Sequence, residues 1–177
     1  MSYLKVDDNT FLSPLRLTDV TELVKYLNDE EIYNNTLTVP FPYTKEDGEF
    51  FVKLCKKQKN KYGIYINWAI RNKNGKLIGG CGFHMKYRRD SKKDEIGYWL
   101  ARPYWNKGIM TKVVTKLCEI GFKKFGLKRI EATVFINNNA SCRILEKAGF
   151  ELEGIFRKSI KKGNKLIDAK RYYKSIL

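Results

Sequence analysis

The sequence predicts a mixed α/β (α+β) domain, a mixed sheet with helices on both faces. Three observations predict it. Three strand-like segments follow one another between residues 64 and 100, which excludes a regularly alternating, doubly wound fold. Residues 94–135 read as strand, helix, strand, so those two strands run parallel through a right-handed crossover. The chain then closes with a helix and two strands joined at Gly163-Asn164. The expected order is strand, two helices, three strands, helix, strand, helix, two strands.

Each element has a local cause. Residues 15–17 (Leu-Arg-Leu) read as a short first strand. Thr18 or Asp19 then caps a helix whose Val20, Leu23, Val24 and Leu27 share one face. Residues 29–36 form a second short helix or irregular arm, broken by Pro40-Phe41-Pro42. Thr44 and Asp47 make a capping box, and the helix behind them is expected to bury Phe50, Phe51, Leu54 and Cys55. Residues 64–70 are rich in strand formers, and Asn72-Lys73-Asn74-Gly75 signals a hairpin. The returning strand, residues 77–83, carries glycines at 79, 80 and 82 that permit close approach of a backbone or ligand. Residues 86–93 read as a charged loop and 95–100 as the next strand. A helix from about Gly108 to Phe125 buries Val113, Val114, Leu117, Cys118, Gly121, Phe122 and Phe125, with Gly126 as its left-handed stop. Residues 129–135 form a strand. Asn137, Asn138 or Asn139 caps a helix over 140–148 that turns Ile144 and Leu145 inward and stops at Gly149. Strands over 151–156 and from 166 to about 172 finish the chain.

The 177 residues suit one domain, 1–177, and 43% hydrophobic content is enough for a core. Lys and Arg number 35 against 19 Asp and Glu, a formal net charge of +16. That balance fits nucleic acid, an acidic membrane surface or a polyanionic small ligand, and equally a merely soluble surface. The four cysteines are scattered and His84 is the one histidine, so no metal site is expected. Disulfides between distant cysteines stay open at this stage. No apolar leader and no run of 18 apolar residues is seen, which with free thiols points to a reducing cytosol and no membrane span.

The segment with the most chemistry is Trp105-Asn106-Lys107-Gly108-Ile109-Met110-Thr111, a glycine-containing loop that opens the long helix. No acid occurs from Asn106 to Cys118, and Lys107 and Lys112 stand where free N–H groups and the macrodipole favour acids. Cations there are unfavourable unless an anion binds among them. A phosphate-bearing cofactor at residues 106–111 is therefore expected; the plainer alternative is an ordinary helix start with solvated lysines.

Three segments carry a family resemblance. Glu95-Ile96-Gly97-Tyr98-Trp99-Leu100 looks like a strand E-I-G-Y-W-L; Tyr104 to Thr111 is similar to Y-W-G-K-G-x-x-T; Asn138 to Phe150 is similar to N-x-A-S-x-R-V-L-E-K-x-G-F. In this order, with the late Ile167-Asp168, they resemble the GNAT superfamily of acetyl-CoA-dependent N-acyltransferases. The closest match is its RimJ/RimL-like branch, which includes ribosomal-protein N-terminal acetyltransferases. The resemblance covers roughly residues 11–177. It implies a GNAT fold: a central, mostly antiparallel sheet of six to seven strands with a splayed parallel pair. The chain departs from the superfamily loop Q/R-x-x-G-x-G/A: Trp105 and Met110 stand at the first and last positions, and Asn106 replaces a frequent glycine. Asn tolerates the left-handed region that glycine would occupy there.

By that resemblance the co-substrate is acetyl-CoA, with no metal, and transfer to a primary amine is direct in a ternary complex. The cofactor-binding positions are Leu100, Arg102, Trp105, Asn106, Lys107, Gly108, Ile109, Met110, Thr111, Asn138, Ser141 and Arg143. Backbone N–H groups from Lys107 to Thr111 would hold the pyrophosphate, and main-chain atoms of Leu100 and Arg102 the pantetheine. Glu95 matches a general base of several relatives, with His84 or water as rivals; a charged strand residue paired to a lysine is the plainer role. Ser141 aligns with a serine proposed to hydrogen-bond or protonate the CoA sulfur, although Ser is common in a first helical turn. His84 and Tyr98 are the acceptor-side candidates. Cys142 has no nearby histidine in sequence to make it a thiolate nucleophile.

The acceptor is a protein N-terminus, an aminoglycoside or another small amine. Residues 28–43, 84–94 and 157–167 are expected to select it. Arg157, Lys158, Lys161, Lys162 and Lys165 make the last of these basic and suit an acidic partner or an RNA-rich surface. The resemblance also allows a homodimer. Two other readings stay open: a basic ribosome- or nucleic-acid-binding module, and a CoA-binding regulator, each with a vestigial active site.

Overall fold

The computed structural model describes residues 3–85 and 91–176, so residues 86–90 of the expected charged loop lie outside the described residues. The chain divides into two units, Met1–Gly82 with Tyr98–Ile109, and Phe83–Gly97 with Met110–Leu177.

The first unit holds β1 (Leu4–Asp7), β2 (Thr10–Ser13), α1 (Val20–Leu27), α2 (Glu30–Asn34), α3 (Lys45–Tyr62), β3 (Asn67–Asn72) and most of β4 (Leu77–Phe83). β1 to β4 pair antiparallel in chain order, with Leu12 opposite Ile70 and Ala69 opposite Gly80. The expected first strand at residues 15–17 does not form. Its place is taken by coil and a single 3-10 turn, Leu17–Asp19, with Leu17 58% exposed. Pro14 cannot donate to a ladder, and the Arg16 N–H is taken by the Asp19 carboxylate at 2.8 Å. The β1–β2 hairpin is not among the expected elements: Leu4-Lys5-Val6-Asp7 alternates apolar and polar, but each strand has only four residues, too short for alternation to stand out.

A buried arginine organises this unit. Arg71 is 2% exposed and pairs with Asp19 through two bonds of 2.8 Å. Its Nε donates to Ser13 Oγ at 2.5 Å, and its remaining protons go to the carbonyls of Gly75 and Pro14. All five guanidinium protons are thus satisfied, which is what makes the charge tolerable at that depth. Asp19 still precedes α1, but its side chain caps nothing there because Arg71 and the Arg16 N–H hold it.

α3 starts in the expected Thr44/Asp47 capping box and ends at left-handed Gly63. Its buried face is Gly48, Val52 and Cys55, at i, i+4 and i+7, with Phe51 and Leu54 half-buried. The expected burial of Phe50 is wrong: it is 67% exposed. It sits two residues from Gly48, about 200° round the helix and so on the far side. The core of the unit gathers Val20, Leu23, Leu27, Ile32, Tyr43, Val52, Ala69 and Leu77, with Trp99 and Trp105 packed against it. Gly79 shows why the β4 glycines are needed: a Cβ there would come within 2.5 Å of the Trp99 carbonyl oxygen. It is a neighbouring backbone that approaches at this position.

The second unit holds most of β5 (Lys93–Leu100), α4 (Ile109–Glu119) from its second residue, β6 (Arg129–Phe135), α5 (Asn139–Lys147), β7 (Glu151–Lys162) and β8 (Lys165–Ser175). β5 and β6 are the parallel pair, in register at Lys93–Arg129, Asp94–Ile130 and Glu95–Glu131 only, while β6 continues to Phe135. β6 pairs antiparallel with β8, and β8 with β7. α4 is regular to Glu119 and widens into a π-helical turn over Ile120–Lys124 before left-handed Gly126. β7 runs six residues beyond the expected end at 156. A bulge between Phe156 and Ile160, with Lys158 at φ 46°, breaks the alternation there and hides the strand in a basic run.

The fold is therefore the expected mixed α/β class, largely antiparallel with one parallel pair. It counts eight strands among the described residues rather than six to seven, because of the N-terminal hairpin. Asp19→Ala should strand the Arg71 charge and cost about 3–5 kcal/mol in urea unfolding. Adding Arg71→Met should restore most of that loss.

Candidate active site

The loop expected to bind phosphate has the backbone such a role requires. Asn106 (φ 58°) and Gly108 (φ 71°) are both left-handed and alternate with Lys107. Alternation of this kind turns successive N–H groups toward one side and forms an anion nest. α4 begins at Ile109 with no acid in its first turn. Met110 is buried and anchors that turn, whereas Thr111 is half-buried and its carbonyl accepts from Thr115 Oγ1 at 3.0 Å. A Cβ at Gly108 would meet nothing within 4 Å, so the loop is open above it. Lys107 does not reach out freely: its ammonium donates to the Pro103 carbonyl at 2.9 Å and lies over Tyr104.

The residues before the loop are tied down. Trp105 Nε1 donates to the Leu100 carbonyl at 2.6 Å, and the Arg102 guanidinium lies 4.9 Å from the Trp105 ring centroid. Arg102 grips Asp29 through two bonds of 2.7 Å and Glu31 through one of 2.9 Å. Those bonds hold the Asp29 carboxyl below the usual carboxylate range, with the backbone N–H groups of Ile32 and Glu31 adding to the effect. The Arg102 guanidinium is held on its charged side by the same partners. Its side chain is thus committed to α2, which leaves only its main chain for a ligand. Asp29 and Glu31 escaped the sequence reading because they lie more than 70 residues from Arg102, beyond any local pattern.

In the second unit Glu95 is 6% exposed, and its main-chain carbonyl accepts from the His84 N–H at 2.8 Å. Its neighbour across the parallel pair is Glu131, also buried, which accepts from Arg129 Nε at 2.7 Å. Adjacent Asp94 is buried too and accepts from the Met85 N–H at 3.0 Å. His84 is exposed, and its ring lies against Gly97, where a Cβ would meet Nε2 at 2.5 Å. A histidine and a buried glutamate thus flank one short stretch of β5. Tyr98 is half-buried on the same strand and belongs to the first unit.

Asn138 caps α5, its Oδ1 accepting from the Ser141 N–H at 3.0 Å, which settles the choice among the three asparagines. Ser141 is half-buried in that first turn and Arg143 is exposed. Cys142 is buried, with Lys170 Nζ 3.8 Å from its sulfur. The buried Tyr172 hydroxyl donates to Glu146 at 2.9 Å; burial first, then Cys142 and Glu146, push its phenol far above the usual range. Among the described residues no group of three His, Cys, Asp or Glu side chains gathers as a metal site.

A model of the GNAT acetyltransferase domain matches residues 9–151. The chain belongs to the GNAT acetyltransferase family. N-acetyltransferase p20 of Bacillus licheniformis is 30% identical over 161 residues, covering 89% of this chain and 87% of p20. The microcin C7 self-immunity acetyltransferase MccE, solved with acetyl-CoA and AMP, has the same fold (TM-score 0.86, 24% identity, 98% of this chain and 96% of that one). So does RimL, the ribosomal L7/L12 α-N-protein acetyltransferase, solved with coenzyme A (TM-score 0.87, 18% identity, 99% and 98%). As a GNAT enzyme the chain transfers the acetyl group of acetyl-CoA to an amine.

Gly97→Ala should leave the fold intact but displace the His84 ring, read as a shifted imidazole resonance in NMR, because only a side-chain end stands in the way. The depressed Asp29 carboxyl adds stability that is present above the normal carboxylate range and lost as pH falls through its lowered native value. Asp29→Asn should therefore remove part of the acid limb of a thermal-unfolding profile.

Proposed function

We propose that the chain is a RimJ/RimL-like N-acetyltransferase that modifies the amino terminus of an acidic polypeptide by direct transfer in a ternary complex. The observation that carries the cofactor side of this reading is the left-handed Asn106–Gly108 turn opening α4 with no acid in its first turn. Amides from Lys107 to Thr111 would hold the pyrophosphate. Leu100 and Arg102 would meet the pantetheine through main-chain atoms. Asn138, besides capping α5, would contact the same arm, and Arg143 a phosphate.

Only a neutral amine attacks a thioester, so a proton must leave the acceptor. We assign that proton to Glu95, directly or through water, with His84 and Tyr98 on the acceptor side. The tetrahedral oxyanion then collapses and expels the CoA thiolate, to which Ser141 would offer a hydrogen bond. The resident carboxylate makes a covalent acyl-Cys142 step unnecessary, and that cysteine is buried.

The acceptor class rests on the β7–β8 hairpin, most of which lies beyond the family match at 9–151. Arg157, Lys158, Lys161, Lys162 and Lys165 follow one another there with no acid between them. Asp168 is engaged by Arg157 at 3.1 Å and by the Lys158 N–H at 2.7 Å. Exposed Ile155, Phe156 and Leu166 add apolar contact. Such a surface favours an acidic, partly apolar polypeptide over a polycationic aminoglycoside. Two copies meeting through this hairpin would oppose like charges, so a homodimer, if formed, would use another face. Four free, buried cysteines support a reducing cytoplasm, and no helix among the described residues is long and apolar enough to cross a membrane. We read residues 1–177 as one acetyltransferase domain, since the family match runs through both units.

A screen of amines read by CoA-thiol release should give turnover with acidic N-terminal peptides and little with aminoglycosides; the reverse ranking would remove the acceptor assignment. Gly108→Glu should abolish coenzyme binding by placing bulk and negative charge at the nest. Glu95→Gln should keep binding and lower kcat about 100-fold. Ser141→Ala should lower kcat more than coenzyme affinity.

A further inference from the structure

One chain of contacts in the first unit joins two segments that the acetyl-transfer reading gives different tasks. Asp29 stands at the start of α2, in the arm expected to select the acceptor, and does two jobs. Its Oδ1 accepts from the N–H groups of Glu31 and Ile32 at 2.9 and 3.3 Å, capping the helix. Both its oxygens also take the fork of Arg102 at 2.7 Å. Arg102 in turn lies on the Trp105 ring at 4.9 Å, and the Trp105 indole N–H holds the Leu100 carbonyl at 2.6 Å. Trp105 is followed at once by left-handed Asn106, the first residue of the anion nest. Carboxylate, guanidinium, indole and carbonyl therefore form an unbroken series of charge-assisted, stacked and hydrogen-bonded contacts. A bidentate Arg–carboxylate pair fixes orientation as well as distance, and a guanidinium stacked on an indole keeps its plane.

We propose that Asp29 is a positioning residue for the transfer, and that the Asp29–Arg102–Trp105 series couples the acceptor arm at α2 to the coenzyme loop. This rests on the acetyl-transfer reading above. Ordering the loop around a diphosphate also orders Trp105 and Arg102, which hold α2 in place for the amine. By linkage, an acceptor seated against α2 tightens the coenzyme by the same factor. The series is partly exposed, with Arg102 at 52%, so its strength lies in bidentate geometry and in linkage rather than in burial.

Asp29→Asn tests the device cleanly, because asparagine caps a helix as well as aspartate does while lacking the charge and second oxygen that hold Arg102. Trp105→Phe keeps a ring under the guanidinium and removes the bond to Leu100. The full chain, both single variants and the double variant are compared. Each single substitution should raise the KM for acetyl-CoA and for the acceptor together, about five- to tenfold, with the far-UV spectrum unchanged. The double variant should be no worse than the weaker single by more than about twofold, the non-additivity expected of groups acting as one unit. Effects that multiply would overturn the coupling. A readout without substrate separates this from the parent reading. The Trp105 indole N–H resonance, identified by its loss in Trp105→Phe, should move in Asp29→Asn. A resonance that stays in place would sink the series alone, whereas wild-type protein that releases no CoA thiol with any amine while the resonance moves would sink the acetyl-transfer reading alone.

Discussion

A helix start leaves successive backbone amides without intrahelical partners, and the turn into α4 is such a place. Left-handed Asn106 and Gly108 aim the N–H groups, the first turn of α4 adds its own, and no carboxylate of the chain stands in that turn to absorb them. The rest of the site takes its meaning from that arrangement. In the proposed site the coenzyme's diphosphate would complement that turn, leaving the reactive end to be aimed by other groups. Lys107 illustrates the division of labour. Its ammonium is folded back on the Pro103 carbonyl, so in the proposed site the main chain, rather than a flexible side chain, would carry the recognition.

Around that turn the protein uses charge in two ways. The buried Arg71 is fully paired: it satisfies all five of its protons against Asp19, Ser13, Gly75 and Pro14. Where a charge is half-exposed it fixes orientation, as Arg102 does between α2 and Trp105. The first kind specifies how β2, β3 and the start of α1 meet, at a desolvation cost that only complete pairing offsets. The second kind is weak in energy and strong in geometry. The excess of basic residues in the β7–β8 hairpin belongs to neither class, since Arg157 is the hairpin cation drawn to Asp168 while the lysines follow one another without an intervening acid.

Much of this was legible in the chain. Capping boxes, left-handed stops and the Asn72–Gly75 hairpin involve residues within four positions of one another, and the Thr44/Asp47 box, the left-handed Gly126 and Gly149 and the Asn138 cap all form. The parallel pair was readable because a helix of that length between two strands allows no other return. The errors share a cause. The N-terminal hairpin, the exposed Phe50 and the bulged end of β7 depend on which face another element covers, or on a local break in alternation, and periodicity records neither.

The sequence by itself determined the fold class, the acid-free turn into α4 and the family, because each rests on contiguous residues whose backbone preferences and charges act over one or two turns. Tertiary structure decided which carboxylates hold Arg102 and Arg71, and that His84 lies on the bare backbone of Gly97. Asp29 and Arg102 stand 73 residues apart, and Asp19 and Arg71 stand 52. A bond over such a separation exists only once the strands and helices between have packed, and no short-range rule encodes its partner.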